Sequence, residues 1–206
     1  MVRRARLWFE GAKYHVTSRG IRKSLLFFED EDYQKYLAYI EETRERYPFH
    51  LYSYCLMSNH THLQFETLET PLSIIMKHLN TKYAKYFNQK YNFSGHVFEK
   101  RYGAELINSV EYEIDVSKYI HLNPVAAGMV TAPEEYPGSS YRAYLCGDGD
   151  GEANPHIEPN PILSYFPDPK PHFYQQYMHS LVTDKFFWED GKIIKREGEW
   201  FPCGHE

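Results

Sequence analysis

Along the first two-thirds of this 206-residue chain, apolar residues switch between alternation and helical spacing in a regular succession. Lys13-Tyr14-His15-Val16-Thr17-Ser18 is rich in β-formers and closes on Arg19-Gly20, which predicts a strand. From Asp30 to Tyr47 the positions Tyr33, Leu37 and Ile40 recur at i, i+4 and i+7. Acids crowd the first turn and Pro48 ends the pattern, so a helix is expected. Phe49 to Met57 reads as a strand, Ser58-Asn59 as a turn, and His60 to Glu66 alternates as the second arm of a β-hairpin. Thr70-Pro71 opens a further helix as N-cap and first helical residue, with a face of Ile75, Leu79, Tyr83, Tyr86 and Phe87 that frays near Asn92. Gly95 to Tyr102 leads into a strand ending near Ile107. Asn108 with Glu111 three residues on has the form of a capping box for a third helix. Pro124 disfavours helical geometry in the residue before it, so that helix should end by about Asn123, with Gly128 in the following turn.

The order β-α-β-β-α-β-α predicts an α+β fold, an antiparallel sheet with helices packed on one side. No internal repeat is present. Between Gly147 and Pro171 the composition shifts to Gly, Asp, Asn and Pro, which reads as a linker or loosely tethered loop. The expected organisation is a folded domain over residues 1–146, this linker over 147–171, and an acidic, aromatic extension over 172–206. In that extension Phe173 to Val182 suits a short helix, and Phe186-Phe187-Trp188 should pack somewhere. Asp148, Asp150 and Glu152 suggest a calcium loop only faintly, because the required glycine position holds Ala153.

Composition narrows the class. No apolar run approaches the ~18 residues of a membrane span, and the basic start is followed by no apolar segment of a secretory signal. Three cysteines without a C-x-x-C pair suit a reducing compartment, and a cytoplasmic location is expected. The net charge of −5 conceals an uneven distribution. Residues 1–28 carry seven bases against Glu10 alone, and residues 76–101 carry six against Glu99, whereas the chain after Cys146 holds eleven acids and five bases. Two basic stretches beside an acidic tail are compatible with phosphate binding, although solvated helix faces would give the same pattern.

His60 and His62 stand two apart in an expected strand, so both imidazoles point to one face and could serve as two ligands of a metal site. Tyr119 and Asn123 are four apart on the third helix and share a face. An Asn carbonyl oxygen beside two histidines suits a divalent ion such as Mn²⁺ or Mg²⁺ with positions open to phosphate oxygens. A phenol with an ordinary pKa of ~10 attacks slowly at neutral pH unless its electrophile is polarised. Taken singly, Tyr119 also reads as a packing residue and Asn123 as a cap before proline.

The segment from Leu56 to Leu63 (LMSNHTHL), followed some sixty residues later by Tyr119 to Gly128 (YIHLNPVAAG), resembles the HUH-type single-tyrosine transposases, the IS200-like family. It is most similar to their REP-associated branch. Supporting blocks keep order and spacing: Tyr14 to Gly20, Leu79-Asn80 with Tyr83-Ala84, Gly95 to Phe98 with Arg101-Tyr102, and Tyr136 to Arg142. The resemblance covers about residues 8–146. It implies a ferredoxin-like antiparallel sheet flanked by helices, with His60, His62 and Asn123 as metal ligands for Mg²⁺ or Mn²⁺ and Tyr119 as nucleophile. One departure is Thr61, where the family's middle residue is bulky and hydrophobic. The implied activity cleaves and rejoins single-stranded, hairpin-containing DNA of the REP type through a 5′-phosphotyrosine. The expected DNA contacts are Arg3, Arg4, Arg6, Arg19, Arg22, Lys82, Lys85 and Arg101. The partner the resemblance implies is single-stranded or hairpin DNA, with neither a membrane nor a small-molecule substrate, and a monomer or homodimer is expected.

Three other readings share these residues. A metal-dependent hydrolase could use the H-x-H pair, but Leu63, Gln64 and Phe65 follow it where further ligands would be wanted. A replication initiator or relaxase would carry the same pair and tyrosine. A domesticated hairpin-binding protein would retain the fold after its chemistry had lapsed. His121 should point away from Tyr119 and serve packing, and His15 and His96 have no ligand spacing.

Overall fold

The computed structural model describes residues 7–146 and 154–179, with the backbone of two further strands at Asp184–Glu189 and Lys192–Glu197. Arg3, Arg4, Arg6, the 147–153 stretch and the Phe186-Phe187-Trp188 side chains lie outside the described residues. The elements run β1 (Lys13–Arg19), α1 (Asp30–Arg46), β2 (Phe49–Met57), β3 (His60–Thr67), α2 (Leu72–Lys90), β4 (Gly103–Ile107) and α3 (Val110–Ala126). Three short helices follow, α4 (Tyr141–Leu145), α5 (Asn160–Leu163) and α6 (Lys170–His179), then the paired strands β5 (Asp184–Glu189) and β6 (Lys192–Glu197).

The main sheet has the order β2-β3-β1-β4 and is antiparallel throughout. This is the α+β, ferredoxin-like arrangement expected, with one correction: helices cover both faces. α1 and α2 bury Tyr36, Ile40, Ile75, Leu79 and Tyr83 with Tyr14, Val16, Leu63 and Phe65 of the sheet. α3 lies on the opposite face, where Val116 and Ile120 meet Cys55 and Met57. The reason is visible in β2, which is buried from Leu51 to Met57 without alternation and therefore needs cover on both sides.

Helix ends differ from expectation by small steps with local causes. α3 is capped by Ser109, whose Oγ accepts from the Tyr112 amide at 3.2 Å, and not by Asn108. It continues through Pro124 to Ala126, because a proline in the last turn forfeits only one amide bond. Gly128, at φ 65, then ends it in the left-handed region that glycine tolerates. α2 begins at Leu72, with Pro71 in the cap position and Thr70 outside.

The stretch read as a linker is not free where it is described. Ile157, Ile162 and Leu163 are buried in the main core, and the Glu158 amide donates to the Leu51 carbonyl at 2.9 Å. α6 is also docked, through fully buried Tyr174. Among the described residues no helix is long and apolar enough to cross a membrane.

Asp32 ties α1 to α2. Its Oδ2 accepts from the Phe28 amide at 2.8 Å and from Tyr91 Oη at 2.7 Å, and its Oδ1 from Tyr86 Oη and Lys90 Nζ, both at 2.9 Å. Burial pushes its pKa up, but bonds from Tyr91, Lys90, Phe28 and Tyr86 outweigh that and hold the carboxyl below its usual value. Its contribution is therefore full above the ordinary carboxylate pKa and is lost as pH falls through the lower folded value. Asp32→Asn should cost about 1–3 kcal/mol in urea unfolding at neutral pH, and the difference from wild type should shrink in acid.

Candidate active site

The register of β1 on β3 assembles the site. His15 lies opposite Gln64, Thr17 opposite His62 and Arg19 opposite His60, so these six residues share the face that α3 covers. Gln64 Nε2 donates to the Glu113 carbonyl of α3 at 3.0 Å, and Lys13 Nζ reaches Glu113 Oε1 at 2.7 Å, which fixes α3 over the sheet. The expected pair and the expected tyrosine meet there. The His60 and His62 ring centroids are 4.8 Å apart, and the Tyr119 ring stands edge-on to His62 at 5.4 Å.

His15 belongs to the same group, although it has no ligand spacing in the sequence. It is 1% exposed, its Nε2 lies 2.9 Å from His62 Nδ1, and its ring is 5.7 Å from that of Tyr119. The signal that could have found it is its place in β1, on the same side as Arg19, once β1 is paired with β3.

The hydrogen bonds decide which nitrogens remain open. Asn59 Nδ2 donates to the Lys23 carbonyl at 3.3 Å, which leaves Asn59 Oδ1 to accept from His60 Nδ1 at 2.6 Å. With its proton on Nδ1, His60 keeps a lone pair on Nε2. His62 Nε2 is buried and has no hydrogen-bond partner. For this atom to act as a ligand the His62 proton must sit on Nδ1 and be donated to His15 Nε2, so His15 selects the tautomer. Left unmatched, such a buried nitrogen costs about 1–3 kcal/mol. The orphaned His62 nitrogen and the open Nε2 of His60 are two donors of the kind a divalent cation takes, while the side chain of Asn123 is engaged with Tyr119 of its own helix. Among the described residues no three His, Cys, Asp or Glu side chains gather as a metal cluster, so a third protein ligand would have to be of another type.

Burial keeps these imidazoles neutral, as ligation requires. It lowers the pKa of His15 to about 3 and, with the charge of Arg19, that of His60 to about 4. His62 is held well below its ordinary value by burial, then by His60, His15 and Arg19. The Tyr119 phenol is pushed up by burial, while a hydrogen bond with Asn123 and the Arg19 charge pull it back and Glu105 adds to the rise. Asn123 Nδ2 also donates to the Tyr119 carbonyl at 3.2 Å.

Of the residues expected to contact DNA, Arg19 is at the site, and Arg22 and Arg101 are exposed on segments leading from it. Lys82 and Lys85 are on the outer face of α2, where Lys82 is ion-paired with Glu42 of α1. That face is on the other side of the sheet from Tyr119.

α3 is itself held from behind. His121 is fully buried, with Nδ1 2.8 Å from Tyr174 Oη and Nε2 2.8 Å from Ser140 Oγ, and Ser117 Oγ is 2.7 Å from the same Tyr174 oxygen. Lys118 Nζ donates to the Tyr177 carbonyl at 2.6 Å. The structural role expected of His121 is thus served through α6.

The fold and site together define an α+β protein whose four-stranded antiparallel sheet carries paired histidines on one face beneath a helix-borne tyrosine. The chain matches the family "Transposase IS200 like" over residues 9–123, and it belongs to that family. It is 29% identical over 113 residues to a Haemophilus influenzae protein named as a candidate REP-associated tyrosine transposase. That match covers 49% of this chain and 64% of the relative's length. The fold is similar to that of a REP-associated tyrosine transposase solved bound to a REP hairpin, with a TM-score of 0.61 and 18% identity. The similarity covers 74% of this chain and 95% of that one.

Tyr174→Phe removes one hydroxyl shared by Ser117 and His121 while keeping the ring. It should lower unfolding stability by about 1–3 kcal/mol, measured by denaturant melts of the full chain.

Proposed function

We propose that this chain cleaves and rejoins single-stranded, hairpin-containing DNA, with Tyr119 as nucleophile and a divalent cation, Mg²⁺ or Mn²⁺, held by His60, His62 and Asn123. The observation that carries the reading is the Tyr119 ring standing 5.4 Å from a His62 whose buried Nε2 has no partner, within one chain. Family membership and the hairpin-bound neighbour support the choice of DNA as substrate. The bound cation would polarise the scissile phosphate and offset charge developing on its oxygens.

The protein groups do the rest. His60 and His62 present neutral nitrogens from a rigid strand, so little is spent on ordering them. Arg19, at the end of β1, supplies fixed positive charge beside the phosphate and lowers the cost of forming the tyrosinate. Tyr119 Oη attacks phosphorus in line. The P–O3′ bond breaks, the phenol proton is released and the departing 3′ oxygen takes one up. The products are a 5′-phosphotyrosine and a free 3′-hydroxyl, and the reverse attack by a 3′-hydroxyl reseals the strand without water or ATP. Asn123 orients the phenol through its hydrogen bond and the stacking of one helical turn.

Incubation of the full chain with Mn²⁺ and labelled single-stranded hairpins from the DNA flanking its own gene should give a covalent adduct on a denaturing gel. Tyr119→Phe should abolish the adduct while hairpin binding persists, and His62→Ala should abolish it too. An adduct in Tyr119→Phe would remove Tyr119 from the role. Hairpin binding with no adduct in wild type would favour a non-catalytic hairpin-binding protein. His15→Ala should weaken Mn²⁺ binding about 10–100-fold in calorimetric titration, because His62 then loses the acceptor that sets its tautomer.

A further inference from the structure

We propose that an apolar cleft beneath the loop that packs on the β2–β3 turn receives one unstacked base of the bound DNA strand, a proposal that rests on the hairpin-DNA reading above. The cleft has a volume of about 240 Å³ and is lined by Leu25, Phe28, Phe87, Tyr91, Phe93 and Val97. It is smaller than the ~300–1,000 Å³ typical of sites for drug-sized ligands, and its size suits one planar ring system. Three of its lining residues face solvent, Phe28 at 57%, Phe93 at 42% and Leu25 at 41% exposure. Phe28, Tyr91, Phe87 and Phe93 form an aromatic corner, with Phe28 4.8 Å from Tyr91 and Phe93 5.8 Å from Phe87. An exposed aromatic corner is a stacking platform that any base can use.

The cleft is tied to the active site by hydrogen bonds. The loop that supplies Leu25 and Phe28 wraps the β2–β3 turn. The Leu26 and Phe27 amides donate to the Ser58 carbonyl at 2.8 and 3.1 Å, and the Gly20 amide donates to the Asn59 carbonyl at 2.9 Å. Asn59 joins the Lys23 carbonyl to His60, so hydrogen bonds run from the loop to the imidazole. On the other wall, the Ile21 amide donates to the Val97 carbonyl at 2.9 Å. The chain runs from Arg19 at the site through Gly20 to Ile21, which lines the cleft.

The charge around the cleft matches a nucleotide's two ends. Arg22 and Lys23 are exposed on one rim, in left-handed backbone at φ 52 and 61, and Lys100 and Arg101 are exposed on the strap beyond Val97. None of these four forms an ion pair among the described residues, whereas Lys90, on the α1 side, is engaged by Glu29, Glu31 and Asp32. Phosphates therefore run along the Arg22–Lys23 side and the base turns inward, away from the acidic start of α1. Non-glycine residues held at positive φ are uncommon. Arg22, Lys23 and Asn92 (φ 47) are the three in the described chain, and all flank this cleft.

The test uses the full chain without divalent metal and a hairpin carrying single-stranded flanks, with 2-aminopurine moved one position at a time through the flanks. One position should change its fluorescence on binding. Phe28→Ala and Phe93→Ala should abolish that change and weaken binding of the flanked hairpin about fivefold to a hundredfold, with binding of the bare stem unaltered. An abasic nucleotide at the same position should weaken wild type by a similar factor and add no further loss in Phe93→Ala. The abasic arm in wild type alone decides the matter if a variant fails to fold. Hairpin binding with no responsive flank position, or variants that bind the flanked hairpin as wild type does, would overturn the cleft while leaving the hairpin reading intact. No hairpin binding at all would overturn both.

Discussion

The pairing of β1 with β3 is the constraint on which the candidate site depends. Strand side chains alternate, so one register sets His15, His62, His60 and Arg19 on the α3 face and Tyr14, Val16, Leu63 and Phe65 on the α1–α2 face. A slip of one residue would exchange the two sets, driving imidazoles into the aromatic core and exposing Phe65 to α3. The large apolar area on the α1–α2 face thus enforces the position of every polar group opposite it. Site geometry and core stability are two outcomes of the same alternation.

On that face the polar groups form a chain of dependencies running outward. His15 shares a hydrogen bond with His62 Nδ1, Asn59 sets the proton of His60, and Lys23 sets the orientation of Asn59. Tyr119 is delivered by α3, which is gripped in front by Lys13 and Gln64 through Glu113 and behind by Tyr174 through His121 and Ser117. The tyrosine and the imidazoles belong to one chain, and α6 holds that arrangement in place. Residues after the family match thereby contribute to the geometry of residues within it.

Much of this was legible in the sequence because it is local. Strand alternation, helix spacing and turn residues located β1 to β4 and α1 to α3, and the spacing of His60 with His62 and of Tyr119 with Asn123 put each pair on one face. What was not legible is non-local. No periodicity says that β1 lies between β3 and β4, so His15 had no visible partner until the pairing was known. The Pro- and Gly-rich composition after Cys146 resembles a linker, yet Ile157, Ile162 and Leu163 find a core to enter. Lys82 looked like its basic neighbours until Glu42 of the facing helix was seen to pair with it.

In the proposed chemistry His60 and His62 offer two neutral nitrogens to one cation beneath Tyr119. Pulsed electron paramagnetic resonance of the full chain with one equivalent of Mn²⁺ tests it without DNA or turnover. Modulation from two imidazole nitrogens is expected, reduced to one in His60→Ala. Mn²⁺ bound with no nitrogen coupling would contradict it.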